Sequence, residues 1–151
     1  MRKIILISCS SKKGKVATQA ENLYISPLFR KSLEYAKLLN PEHIFILSAK
    51  HHLVKLDDII EPYNTTLSNV SKKDPSLEIL SSKDKQEWGK IVLKQLSKYT
   101  DFKKHEILIL GGKEYFLPLS SKISSESMIL NGRIGERLKF LNTEIARFKS
   151  N

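Results

Sequence analysis

The chain has 151 residues, 40% hydrophobic and 28% charged, with Lys plus Arg at 26 against Asp plus Glu at 16, a formal net charge of +10. A chain of this length is expected to form one domain and to bury roughly 68–70% of the surface its unfolded form exposes, which argues against intrinsic disorder. One cysteine excludes an internal disulfide framework, and neither a run of about 18 apolar residues nor a basic-plus-apolar leader is present, so the expected setting is soluble, reducing and cytoplasmic, with no membrane partner.

In chain order, the first apolar run is Ile4-Ile5-Leu6-Ile7, within a strand expected over 3–8. It is continuous instead of alternating, the pattern of a strand buried on both faces of a parallel sheet. Residues 9–22 are polar, Lys-rich and without a period. Ser26 as N-cap, Pro27 at the first helical position, and Leu28, Phe29, Leu33, Ala36 and Leu39 at helical spacing predict a helix that stops before Pro41. A second buried strand follows over 43–48. Residues 50–81 again fit no period and carry His51, His52, Asp57, Asp58, Glu61, Pro62, Tyr63, Asn64 and Thr65.

From Ser82, placed at the start, Trp88, Ile91, Val92, Gln95, Leu96 and Tyr99 share one helical stripe, with Lys83, Lys85, Lys90, Lys94 and Lys98 mostly on the other side. A third strand is expected over 106–111. A last helix over 134–148 would bury Ile134, Leu138, Leu141, Ile145 and Phe148. Strands alternating with helices predict an α/β three-layer sandwich around a small, mainly parallel sheet, in one domain spanning 1–151. Both aperiodic stretches begin where a predicted strand ends, and ligands of open α/β sheets bind beyond the strand carboxyl ends.

A sequence pI near 9.7 suits a polyanionic partner, because neutralising phosphates releases counterions, although a Lys-rich surface also serves solubility alone. After the first strand, Ser10, Ser11 and Lys12 with neighbouring backbone N–H groups could cradle a phosphate, or form a solvated loop; the Walker spacing is absent. Cys9 is either a nucleophile activated by Lys12 or Lys13, or a small buried hydrophobe. His51 and His52 are adjacent and diverge in an extended chain, while His43 and His105 precede other strands, so no metal is expected, and no cofactor. Gly111 and Gly112 permit close backbone approach, with Tyr115 stacking, donating its hydroxyl or filling the core. Among Asp57, Asp58 and Glu61, one carboxylate could be a general base, position a water or accept from a ribose or base; all three equally suit a turn beside Pro62.

Read together, Cys9-Ser10-Ser11-Lys12-Lys13, the run from Ala20 to Phe29 containing Leu23-Tyr24-Ile25-Ser26, Leu47-Ser48-Ala49-Lys50, Pro62-Tyr63-Asn64-Thr65-Thr66-Leu67 and Gly132-Arg133-Ile134-Gly135 resemble, in order, a bacterial and phage family of unknown function. Its members read Cys-Ser-x-x-Lys, Leu-Tyr-x-Ser-x-Leu-Phe, Leu-Ser-Ala-Lys-x-Gly-Leu, Pro-Tyr-x-x-Thr-Leu and Gly-x-Gly-x-x-Leu. More distantly, the pattern is similar to the accessory domain of archaeosine-forming enzymes and to the uracil-DNA glycosylase superfamily. That resemblance implies a uracil-DNA glycosylase-like fold with a base pocket at the strand ends. Cys9, Ser10, Lys12, Tyr24 and Ser26 would line one side, and Ser48, Lys50, Glu61, Tyr63 and Asn64 the other, with Gly111, Gly112 and Tyr115 closing it. Where the family carries Gly, this chain carries His52, so a positive φ there is either lost or borne by histidine. Contiguous glycosylase signatures with a water-activating Asp are absent.

The expected function is cleavage or exchange of an N-glycosidic bond in a nucleoside, nucleotide or nucleic acid. Lys12 and the backbone of 9–11 would hold phosphate, Tyr24 or Tyr63 would stack on the base, and Asn64 would read a base edge. Glu61 would serve as general base or oxocarbenium stabiliser, with Lys50 and Cys9 as further catalytic candidates. The alternative is a non-catalytic nucleic-acid-binding module using the lysines of 83–98. A third reading is a Cys9-dependent thiol enzyme.

Overall fold

The computed structural model describes residues 1–10, 12–67 and 76–150. Its elements are β1 (Arg2–Ser8), β2 (Thr18–Gln19), α1 (Ala20–Leu23), α2 (Pro27–Leu38), β3 (His43–Ser48), β4 (His52–Lys55), β5 (Ile59–Ile60), β6 (Thr65–Thr66), β7 (Glu78–Ile79), α3 (Ser82–Leu96), β8 (His105–Leu110), α4 (Lys113–Phe116) and α5 (Ile134–Lys149), with 3-10 turns at Leu117–Leu119 and Ser125–Ser127. The fold is mixed α/β around a four-stranded sheet ordered β4-β3-β1-β8. β1 runs parallel to β3 and β8, and β4 pairs antiparallel with β3.

The continuous apolar runs explain the centre of this sheet. Ile4, Ile5, Leu6 and Ile7 are buried because β1 has a neighbour on each edge and side chains packed on each face. Each such side chain stabilises the fold by about 1.5–3 kcal/mol relative to an exposed one. β8 lies at one edge, where Met128 adds a single bridge to Ile109.

The helices follow their sequence signals closely, with corrections at the ends. Ser26 Oγ accepts from Phe29 N at 3.2 Å and Pro27 opens α2. For α3 the cap is Ser81, whose Oγ accepts from Asp84 N at 3.1 Å, and not Ser82. The helix ends at Leu96, short of Tyr99, by turn-like hydrogen bonds. Ile134, at the first position of α5, is 61% exposed and Ile91 of α3 is 41% exposed, so the expected apolar stripes are not buried along their whole length. Tyr35 of α2 meets Phe140 and Phe148 of α5 edge-on at 6.1 and 6.2 Å, joining these two helices beside β1. α3 packs instead on β4 and on the turn at Leu117–Leu119.

The largest departure from expectation is β4, a strand inside the stretch read as a loop. Its pairing is short, Phe45↔Lys55 to Ser48↔His52, and its outer Leu53 N–H donates to Gln95 Oε1 of α3 at 3.0 Å. That bond explains a glutamine on an otherwise apolar stripe. The hairpin connection needs a left-handed residue after its three-residue loop, and His52 supplies it at φ 65°. The glycine conformation is therefore retained without the glycine. Among the described residues no helix is long and apolar enough to cross a membrane.

Candidate functional site

The two aperiodic stretches fold onto each other, and this pairing assembles the site. β2 pairs with β5, Thr18 opposite Ile60, while Ala20 and Glu21 donate backbone N–H groups to Asp58 and Leu56 carbonyls at 2.8 and 3.0 Å. Residues 12–14 run antiparallel to 23–25, joined by Gly14 N to Leu23 O at 2.8 Å and Ile25 N to Lys12 O at 3.1 Å. Tyr24 and Tyr63 are thereby carried to the carboxyl ends of β1 and β3. Cys9 N donates to Leu47 O at 3.0 Å, extending the parallel ladder by one residue.

A hydrogen-bonded cluster results. Ser48 Oγ accepts from His51 N at 2.9 Å and donates to Tyr63 Oη at 2.7 Å. The Tyr63 and Tyr24 hydroxyls lie 2.5 Å apart. Cys9 Sγ stands 3.2 Å from Tyr115 Oη, and Tyr115 also engages Thr66. Trp88 Nε1 donates to Ser48 O at 2.8 Å and presents its ring edge-on to Tyr115 at 5.9 Å, so the core indole fixes the end of β3. Lys13 Nζ sits over the Tyr63 ring, 4.2 Å from its centroid, and His51 meets the same ring edge-on at 5.3 Å.

Burial, and then the neighbouring Cys9, pushes the hydroxyls of Tyr24, Tyr63 and Tyr115 well above their usual range. They are neutral hydrogen-bonding groups at neutral pH. Burial also lowers the Lys13 ammonium below its ordinary value, with Cys9 opposing that shift. His51 and His52 are lowered as well, by burial first and by an adjacent charge second. The chemistry on offer is a set of neutral hydroxyls, one thiol and one half-buried cation, suited to a polar ring or to charge developing on one.

Of the residues expected at a site, the structure brings together Cys9, Tyr24, Ser48, Tyr63 and Tyr115, with Tyr24 and Ser48 fully buried. Ser10 Oγ donates to Lys12 O at 3.2 Å, turning the loop back. Lys12, Lys50 and Glu61 are exposed. Lys50 lines a different groove, of about 310 Å³, with His52, Thr65, Glu78, Asp84 and Trp88. Asn64 donates its side-chain amide to Ser76 O, which ties down its own loop. Gly111 packs on Ser8 and Gly112 on Arg137. Ser11 lies outside the described residues.

Sequence reasoning chose Lys12, yet Lys13 covers the tyrosines. The physical signal is parity: an extended segment bridged at Lys13 and Tyr24 turns alternate side chains to opposite faces. His51, weighed only as a metal ligand, and Thr66, the threonine of the Pro-Tyr-x-x-Thr-Leu motif, also stand at the cluster, through contacts with Tyr63 and Tyr115 made across sequence-distant segments. Asp58 Oδ2 accepts from Lys55 N at 2.9 Å and so belongs to a turn.

Fold and site together define a mixed α/β protein with a tyrosine-rich polar cluster at the carboxyl ends of a mostly parallel sheet. The chain belongs to DUF6884, a family of unknown function whose profile matches residues 4–143, a span that includes every member of the cluster. No curated protein and no solved structure matches it.

Proposed function

We propose that this protein is a cytoplasmic enzyme that cleaves or exchanges the N-glycosidic bond of a nucleoside, nucleotide or nucleic acid. One observation supports the reading: Cys9, Tyr24, Ser48, Tyr63 and Tyr115, named from separate stretches of the chain, meet in one cluster at the strand carboxyl ends, where Cys9 engages Tyr63 as well as Tyr115. The proposed architecture is the three-layer, uracil-DNA glycosylase-like sandwich. Strand order β4-β3-β1-β8 supports it: if the crossovers from β1 to β3 and back across β1 to β8 follow the right-handed rule, α2 and α3 cover opposite faces and the crevice falls between the ends of β1 and β3.

In this reading the half-buried Tyr63 meets the base, while the fully buried Tyr24 orients it. As the glycosidic bond breaks, its electron pair leaves with the base. The neutral Tyr63 hydroxyl and the Lys13 ammonium, held over the Tyr63 ring, stabilise and protonate that nitrogen. Glu61, on the exposed run ahead of Tyr63, activates the water that bonds to the sugar carbon. Lys12 and the backbone at 9–11 meet a phosphate, and Asn64 reads a base edge once freed from Ser76. Cys9, buried against Tyr115, tunes the hydroxyls in preference to attacking, and Lys50 acts outside the cluster.

The test is base release from a panel of nucleosides, nucleotides and oligonucleotides, followed chromatographically. Glu61→Gln is expected to lower kcat/KM by about 10²–10⁴-fold, the range of general acid–base catalysis. Cleavage unchanged by Glu61→Gln and Lys13→Met, or no cleavage anywhere in the panel, refutes the reading. The nucleic-acid-binding alternative draws on exposed Lys83 and Lys94 of α3 and Lys98 just beyond its end. Lys85 pairs with Glu114 and Lys90 with Glu87, each at 3.4 Å, which breaks up that positive face. Steep salt dependence of binding without product selects this alternative.

A further inference from the structure

A second concavity lies on the other side of α4. Tyr115 reaches toward Cys9, whereas Lys113 and Phe116, three residues apart and on one helical face, line a groove of about 390 Å³ with Met128, Leu130, Gly132 and Arg137. That volume falls within the range of small-molecule pockets.

Arg137 is held in a specific way. Its Nε donates to Gly132 O at 3.0 Å, from a backbone turned by Gly132 at φ +84°. Its guanidinium lies against Gly112, where an ideal Cβ would stand 3.4 Å from Nη1 and 3.7 Å from Nη2. Among the described residues no carboxylate lies within ion-pair distance of Arg137 or Lys113, and the two Nη groups have no protein partner. Neither cation is in an ion pair among the described residues, although the Glu136 carboxylate packs against Gly132 of the same groove, and their two charges match that of a phosphate monoester, about −1.5 to −2 at neutral pH. The floor is apolar: Phe116 and Leu130 are buried there, with the adaptable thioether of Met128 beside them. Glu136 accepts from Arg133 N at 3.3 Å, so α5 caps its own first turn and side chains supply the cationic contacts.

We propose that this groove is a second ligand site, separate from the tyrosine cluster, for a phosphate monoester carried on a planar apolar body, as in a nucleoside 5′-monophosphate. The Arg137 fork and Lys113 take the phosphate, and the ring lies over Phe116 and Met128.

The experiment is calorimetric titration of the full chain with phenyl phosphate, phenol and inorganic phosphate, paired with amide shift mapping by NMR. Phenyl phosphate is expected to bind at least tenfold more tightly than phenol or inorganic phosphate, with shifts centred on Gly112, Lys113, Gly132 and Arg137. Arg137→Gln and Lys113→Ala should each weaken it tenfold or more, and Arg137→Lys should fall between, because a point charge replaces a fork. Lys113 is exposed and without an ion-pair partner, so Lys113→Ala decides the matter if Arg137→Gln fails to fold. Shifts centred on Lys13 and Tyr63, equal binding of phenol and phenyl phosphate, wild-type affinity in Lys113→Ala, or no binding at millimolar concentration overturns the proposal. None of these outcomes depends on base release, so this site and the glycosidic reading can fail separately.

Discussion

Replacing Tyr63 by phenylalanine removes one oxygen from the middle of the cluster. The Tyr63 hydroxyl accepts from Ser48 Oγ at 2.7 Å and is hydrogen-bonded to the Tyr24 hydroxyl at 2.5 Å. Two hydrogen bonds are lost, each worth about 1 kcal/mol net, and the fully buried Tyr24 hydroxyl is stranded, at about 1–3 kcal/mol more. Ser48 still accepts from His51 N and faces Tyr24 as well, so relaxation of Tyr24 onto Ser48 sets the low end. The expected cost is about 2–5 kcal/mol, seen as a fall in melting temperature of roughly 4–20 °C for a chain of this size. Urea melts of Tyr63→Phe, Tyr24→Phe and the double variant supply the assay. Since the double variant removes both hydroxyls together, it should cost less than the sum of the singles by about 1 kcal/mol or more. Additive effects, or a Tyr63→Phe cost below about 1 kcal/mol, would show that the hydroxyls are not a buried network.

Three other perturbations test the surrounding physics. The folded protein holds the protons of Tyr24, Tyr63 and Tyr115 past the ordinary value of 10, so above that pH it binds more protons than the unfolded chain. Stability is full below pH 10 and falls as the pH climbs beyond it; tyrosinate absorbance should rise together with loss of circular dichroism, and phenols ionising freely in the folded state contradict this. His51 and His52 are depressed below 6.5, so their contribution is complete above that pH and declines as pH falls under it. His52→Gly should relieve the left-handed backbone by about 1 kcal/mol and flatten that acid decline, and a net loss of stability would mean that side-chain packing outweighs the strain. Gly111→Ala places a Cβ 2.8 Å from Ser8 Cβ and should destabilise by about 1–3 kcal/mol in chemical melts; a neutral result would show that β1 and β8 can part at their ends.

The sheet was legible because its information is local. A continuous Ile and Leu run such as 4–7 specifies burial on both faces wherever it is placed, and Ser26-Pro27 specifies a helix start through a side-chain oxygen three residues from the amide it caps. β4 escaped notice for the converse reason. Four residues beginning and ending in polar side chains carry no alternation, and the strand exists because β3 offers an edge and Gln95 closes the outer one. Ile134 and Ile91 mark the same limit on helices, where periodicity identifies an apolar stripe but not how far its neighbour extends.

The site divides in the same way. By itself the sequence determined that polar, hydroxyl-bearing and cationic residues sit just beyond strand carboxyl ends, since strand ends are visible where apolar runs stop. It also assigned Cys9, Tyr24, Ser48 and Tyr63 as site candidates through ordered motifs, and Tyr115 through the glycine pair that ends the third strand. Tertiary structure alone decided which of their atoms touch. The antiparallel pairing of 18–19 with 59–60 set the register that joins Tyr24 to Tyr63, and strand parity turned Lys13 inward and Lys12 to solvent. Likewise, nothing near Gly112 in sequence announces Arg137, twenty-five positions away, whose guanidinium needs that bare backbone to lie against. Hydrogen bonds between distant segments depend on orientations set by the whole packed core, which no local pattern encodes.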